Sequence, residues 1–221
     1  MAVNQATRQP TSIMKPVVPL AVVSLALAFP AAAAVSGLAL GTAPPPGPII
    51  TIPGIEGDVL GSLPSEFGLI QFSLSLEVTD IGSGWATWSH GYAGKVLATD
   101  PNLLIQPTSL TIDLPPNVES FYFYVSPNVF FNPAGDPLWI TAEAFGGPAI
   151  SQQVLWIDEA VGFQFTGLGG AFVTQVTVQI PAEAEGWAIG ELGIVPEGDS
   201  VMLGLALAGV AAGFVVRRRR A

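Results

Sequence analysis

The clearest signal along this chain is alternation. Ile70, Phe72, Leu74, Leu76 and Val78 take every second place, with Gln71, Ser73, Ser75 and Glu77 between them. A period of two puts the apolar set on one face of a strand and the polar set on the other, which predicts a half-buried strand. The same pattern recurs in Leu110-Ile112-Leu114, in Phe121-Phe123-Val125 and in Leu138-Ile140-Ala142. Further strands are predicted over Gln153 to Ile157, Val161 to Thr166, Val173 to Ile180 and Trp187 to Leu192.

Turn formers separate these runs: Pro115-Pro116-Asn117, residues 132–137, Gly146-Gly147-Pro148 and residues 167–170. Outside the two termini no stretch carries a 3.6-residue period, and no internal repeat is visible. Short alternating strands at this spacing predict an all-β domain, an antiparallel, jelly-roll-like β-sandwich over residues 55–194. A Pro/Gly-rich spacer over 35–54 precedes it, built around Gly41-Thr42-Ala43-Pro44-Pro45-Pro46-Gly47-Pro48, a polyproline-type composition expected to stay unpacked.

The termini follow a different rule. Lys15 precedes an apolar stretch from Val17 to Phe29, and Ala31 to Ala34 supply small residues of the kind a signal peptidase accepts. Residues 1–34 therefore read as a secretory signal peptide, with Ala32 and Ala34 at the cleavage site. Met14-Lys15 is a natural start of its own, so translation from Met1 or from Met14 fits equally. At the other end an uncharged run from Val201 to Val216 is followed by Arg217, Arg218, Arg219 and Arg220. As a helix that run is about 24 Å long, short of a hydrocarbon core of about 30 Å but able to span if the bilayer thins and the arginines snorkel. Four arginines favour a cytoplasmic terminus and leave everything before Val201 outside.

Charge sharpens this division. The chain's net charge of −10 hides a stronger asymmetry: between Val35 and Ser200 seventeen carboxylates face Lys95 alone, a balance of −16. Nothing there can neutralise phosphates, so nucleic acid is excluded as a partner. The absence of cysteine removes disulfides, thiol catalysis and thiolate metal sites.

Candidate chemistry is sparse. His90 is the sole imidazole. A serine-histidine-acid arrangement would draw on Ser83 or Ser89 with Asp80 or Asp100, yet no nucleophile elbow is present. Trp88, His90 and Tyr92 fall on one face of an alternating segment, which predicts an aromatic-lined histidine hydrogen-bonded locally. Asp158-Glu159 and the Glu183/Glu185 pair suit solvated loops better than a glycosidase pair. Glu56, Asp58 and Glu191 are the candidates for a structural calcium ion, without EF-hand spacing. Trp85, Trp88 and Trp139 are candidates for stacking on sugar faces.

The tail Val195-Pro196-Glu197-Gly198, followed by the apolar run and the arginines, resembles the PEP-CTERM sorting signal, with Gly198 where the second proline of that motif belongs. The middle of the chain is similar to an uncharacterised group of such exported proteins through residues 85–92, Phe121-Tyr122-Phe123-Tyr124, Val161-Gly162-Phe163 and residues 188–194. The resemblance implies export and processing by an exosortase-type membrane enzyme, in bacteria that often make extracellular polysaccharide. It implies no known reaction. The expected function is therefore a non-catalytic cell-surface or matrix protein, processed or anchored through residues 195–221. A carbohydrate-binding module for exopolysaccharide and a hydrolase are the alternatives.

Overall fold

A computed structural model describes residues 33–83, 85, 88–129, 137–157 and 159–195. Ala32, Asp158, Pro196, Glu197, Gly198, the 201–216 run and Arg217, Arg218, Arg219 and Arg220 lie outside these residues. Among the described residues no helix is long and apolar enough to cross a membrane.

Among the described residues, eleven strands and one short 3₁₀ turn, Ser89–Gly91, make up the regular structure. The strands are β1 (Ala34–Gly41), β2 (Val59–Ser65), β3 (Gly68–Asp80), β4 (Lys95–Ala98), β5 (Ser109–Asp113), β6 (Ser120–Pro127), β7 (Trp139–Phe145), β8 (Ile150–Leu155), β9 (Val161–Leu168), β10 (Gln175–Gln179) and β11 (Trp187–Val195). Each of the eight predicted segments overlaps a strand, and every ladder between strands is antiparallel.

The hydrogen-bonded order is β1-β9-β6-β11-β4-β3-β5-β10-β7-β8, with β2 on β3. The thirteen-residue β3 explains how one sheet encloses a core. Glu77 is flanked by Val59 of β2 and Ala98 of β4, while Gln71 is flanked by Ser62 of β2 and Asp113 of β5. Strands β4 and β5 thus share one edge of β3, and two groups of strands part from it to face each other. At the far side β1 meets β8, where a Cβ on Gly37 would lie 2.6 Å from Gln152 Cγ and displace that side chain. The result is a nearly closed, barrel-like antiparallel sheet.

The enclosed core follows the alternation. Ile70, Phe72, Leu76 and Val78 of β3 point inward with Ile112, Phe121, Phe123, Phe163, Phe165, Val176 and Ile189. Phe123 stacks between Phe121 and Phe163 at 5.7 and 5.5 Å between ring centres. Each such side chain contributes roughly 1.5–3 kcal/mol on burial.

Two features depart from the sequence pattern. Residues 34–41 of the expected signal-peptide end and spacer form β1, antiparallel to β9, with Val35 buried. Small alanines and glycines carry little strand signal, but an edge strand needs only its backbone groups to be satisfied. Strand β6, predicted to be half-buried, is buried on both faces. Its tyrosine face is covered by residues 43–48 of the proline-rich stretch, which is packed rather than free. Together with Trp88, Val96, Ala98, Ala188 and Val195, the tyrosines form a second small core outside the sheet.

Candidate functional site

The second core is organised around one acid. Strand β11 is an apolar run, Trp187-Ala188-Ile189-Gly190-Glu191-Leu192-Gly193-Ile194-Val195, and every residue of it is buried. Gly190 pairs with Tyr124 and Gly193 with Tyr122, so three steps on β11 oppose two on β6. That extra residue is a β-bulge, and Glu191 in it holds φ at +47°. Both flanking glycines are required by crowding. A Cβ on Gly190 would lie 2.7 Å from Val96 Cγ1, and one on Gly193 2.2 Å from the Tyr122 hydroxyl oxygen.

The bulge turns the Glu191 side chain outward from the sheet into the second core, where it is 1% exposed. Trp88 Nε1–H donates to Glu191 Oε2 at 2.7 Å, and His90 Nε2 lies 2.7 Å from Oε1. The histidine contact is an ion pair when the ring carries a second proton. Bonds to a carboxylate in so dry a place are the strong kind, about 1.5–3 kcal/mol each. His90 reaches the acid from the 3₁₀ turn, its own φ at +41°. Tyr124 packs edge-on to the imidazole at 5.2 Å, and Trp88 lies 6.3 Å from Tyr92.

The chain's three tyrosines all belong to this cluster. Tyr122 donates to the carbonyls of Gly47 and Pro48 at 2.7 and 2.6 Å, and Tyr124 to the carbonyl of Ala43. Tyr92 donates to Lys95 O at 2.9 Å. Burial first, and the nearby Glu191 carboxylate second, raise the Tyr92 hydroxyl pKa from 10.0 to about 12. The same two causes push Tyr122 and Tyr124 higher still. The hydroxyls therefore remain donors through the whole neutral range, strapping the proline-rich stretch to the sheet.

What sequence placed on one face the structure does bring together, with a different partner. His90 bonds across the chain to Glu191 rather than locally, because a bulged central strand delivers an acid that no nearby residue supplies. A lone acid between glycines in an apolar strand was the available signal for a buried, paired charge.

The remaining candidates are scattered. Ser89 Oγ is buried and makes no hydrogen bond to His90. Ser83 bonds Glu56 and the carbonyl of Asp80, and Asp100 holds Asn102, so no serine-histidine-acid triad is assembled among the described residues. Asp58 caps Ile55 N at 2.8 Å, while Glu191 spends both oxygens on Trp88 and His90. No group of three or more His, Asp or Glu able to hold a metal ion occurs among the described residues, and Glu56, Asp58 and Glu191 do not form one. Trp88 is buried with its N–H committed, Trp85 is half-buried, and Trp139 on β7 is 47% exposed. Ala34 opens β1, and Val195 ends β11 opposite Ser120, so the tail motif begins inside a core strand. Comparison with family models, with curated proteins and with solved structures gives no match.

Proposed function

We propose that this is an exported, non-catalytic surface or matrix protein, directed out by a signal peptide over 1–34 and processed or held at the membrane through the PEP-CTERM-like tail over 195–221. Its domain, jelly-roll-like in this reading, is displayed outside, and the processing partner is an exosortase-type membrane enzyme. The observation that carries the non-catalytic part is the use of the sole imidazole as a structural clasp on Glu191. With one imidazole and no cysteine in the chain, histidine-based nucleophilic catalysis would have to use this ring, and its Nε2 is committed to Glu191. The order of charges along the chain carries the rest: an acidic exported region, an apolar run and a terminal arginine cluster.

Intact mass of protein recovered from its native cell surface tests this reading. A product lacking both 1–34 and 201–221 supports processing, and one retaining 201–221 supports a permanent anchor. A full-length product confined to the cytoplasm overturns export. Hydrolysis of any polysaccharide or ester that disappears in a still-folded His90→Ala variant overturns the non-catalytic assignment.

A second reading, binding of exopolysaccharide, is favoured by one residue. Trp139 offers an indole to solvent on β7, in a strand whose alternate residues are buried.

A further inference from the structure

We infer that the surface beside the end of β11 is a contact face for a neutral, zwitterionic lipid bilayer. This rests on the tail reading above and adds to it an orientation of the domain.

The face is a groove of about 600 Å³ lined by Pro48, Ile49, Pro53, Pro64, Phe67 and Ile194. Ile50 N–H donates to Leu192 O at 2.7 Å, so the 48–53 segment runs beside the last residues of β11. Phe67 also lines a second groove, of about 420 Å³, that extends the apolar surface to Leu69. Ile49 and Phe67 are each 38% exposed and Leu69 55%. A soluble domain normally covers an aromatic and two aliphatics placed together, and their grouping marks a contact surface.

The length of the remaining chain says what that contact is. Val195 is fixed in β11, and the uncharged run starts at Val201. Six residue steps span at most about 22 Å even when fully extended. A domain of about 160 residues is about 40 Å across. The tether is shorter than the domain, so the end that carries Val195 stays within about 22 Å of the hydrocarbon whenever the run is in the bilayer, near enough for the groove to reach the headgroups. A second apolar cluster, Leu103, Leu104 and Ile105, is more exposed but cannot share this role. Thr99 N–H bonds Trp187 O, which sets the 99–108 loop at the opposite end of β11. The charge balance selects the lipid: Glu66 edges the groove, and the exported region stands at −16, so anionic headgroups repel it.

The native chain has no cysteine, which permits single labels. Ile49→Cys, Phe67→Cys and Leu104→Cys variants of the full chain, each carrying a spin label, are reconstituted into phosphatidylcholine vesicles. Accessibility to oxygen is compared with accessibility to a water-soluble nickel chelate. The labels at 49 and 67 are expected to show a severalfold higher oxygen-to-nickel ratio than the label at 104, and added anionic lipid is expected to lower it. Circular dichroism confirms folding of each variant, and either of the two groove positions suffices. Ratios at 49 and 67 equal to that at 104, in chains that stay with the vesicles through alkaline carbonate, overturn the contact face and leave the tail reading intact. Release of the chain by carbonate overturns the tail reading and the contact face with it.

Discussion

Glu191 and His90 are separated by 101 residues in sequence and by 2.7 Å in space, and each holds its backbone in the left-handed region, at φ +47° and +41°. Left-handed backbone at a residue with a Cβ costs roughly 1–2 kcal/mol, so two such residues meeting at one contact are an unusual expense. The contact itself offsets that strain. Trp88 and His90 together satisfy both carboxylate oxygens, and the bulge that strains Glu191 is what lifts it out of the sheet. The turn is also closed by Tyr92 N–H on Ser89 O, and the bulge is flanked on both sides by the ladder to β6, so the clasp joins two features that each have backbone bonds of their own. The clasp thus ties the 88–92 segment to β11, and the tyrosines extend it to the proline-rich stretch.

Removal of the acid is expected to show what the clasp contributes. Glu191→Ala leaves an indole N–H and an imidazole without their acceptor in a dry site, and should destabilise the fold by about 3–5 kcal/mol. Glu191→Gln keeps an acceptor for Trp88 and a donor for His90, and should cost about 1–2 kcal/mol through lost charge assistance. Urea denaturation of the two variants measures the difference. Equal losses would show that the isosteric amide does no better than deletion and that the charge alone holds the clasp, while no loss in Glu191→Gln would show that the carboxylate contributes only its volume.

High pH should strike the same place. Because all three tyrosines sit in this cluster, tyrosinate absorbance reports on the site alone. An unfolded tyrosine ionises near pH 10.0, whereas folded Tyr92 does so near 12 and Tyr122 and Tyr124 later. Between those limits the unfolded chain has released protons that the folded chain retains. The stabilisation is therefore complete below pH 10 and is lost as pH rises through 12 and beyond. Spectrophotometric titration should show no tyrosinate at pH 10 and then a steep rise coincident with loss of the β-sheet circular dichroism signal. A gradual rise centred on pH 10 in folded protein would contradict the burial of these hydroxyls.

Much of this architecture was legible as alternation. Wherever one face of a strand meets the core and the other meets polar residues, the sequence must alternate, and β3, β5 and β7 do so visibly. Strand β1 was hidden because alanine and glycine fill much of it, β2 because Val59, Leu60 and Leu63 keep no period of two, and β4 because four residues are too few to show a period. The second core was hidden for a different reason. Tyr122 and Tyr124 occupy the polar phase of β6, and only the tertiary arrangement reveals that the proline-rich stretch and the 88–92 segment bury them. Glu191 stood out as a lone acid in an apolar strand, but its partner on a distant turn is a property of topology. Closure of the sheet through the long β3 is likewise a matter of which edges pair, which alternation does not encode.

Gly193 tests how tightly the proline-rich stretch is held. Its missing Cβ leaves room for the Tyr122 hydroxyl and for the Pro48 carbonyl, which would otherwise lie 2.2 and 2.5 Å away. Gly193→Ala must therefore displace either the ring or the backbone of the strap, at a cost of about 1–3 kcal/mol. Proteolysis should then cut between Thr42 and Pro48 in the variant before it does so in the native chain. Unchanged cleavage and unchanged stability would mean that the strap is not seated as described.

The tryptophans allow stability and ligand binding to be separated. Trp88 is buried with its N–H on Glu191, and Trp139 is 47% exposed on β7 without a hydrogen bond among those found for the described residues. Trp88→Phe should cost about 1–3 kcal/mol, because it leaves a carboxylate oxygen without its donor, while retaining most of the packing. Trp139→Ala should cost about 1–2 kcal/mol from the covered half of its ring, with no hydrogen bond lost. Affinity electrophoresis through gels containing neutral and acidic polysaccharides reads the other property. If β7 presents a sugar-stacking surface, the native domain is retarded, Trp139→Ala abolishes the retardation, and Trp88→Phe leaves it in place wherever the variant is folded. Retardation lost in Trp88→Phe but kept in Trp139→Ala would move the binding surface to the clasp, and the absence of retardation in the native protein would leave the structural role as the one supported.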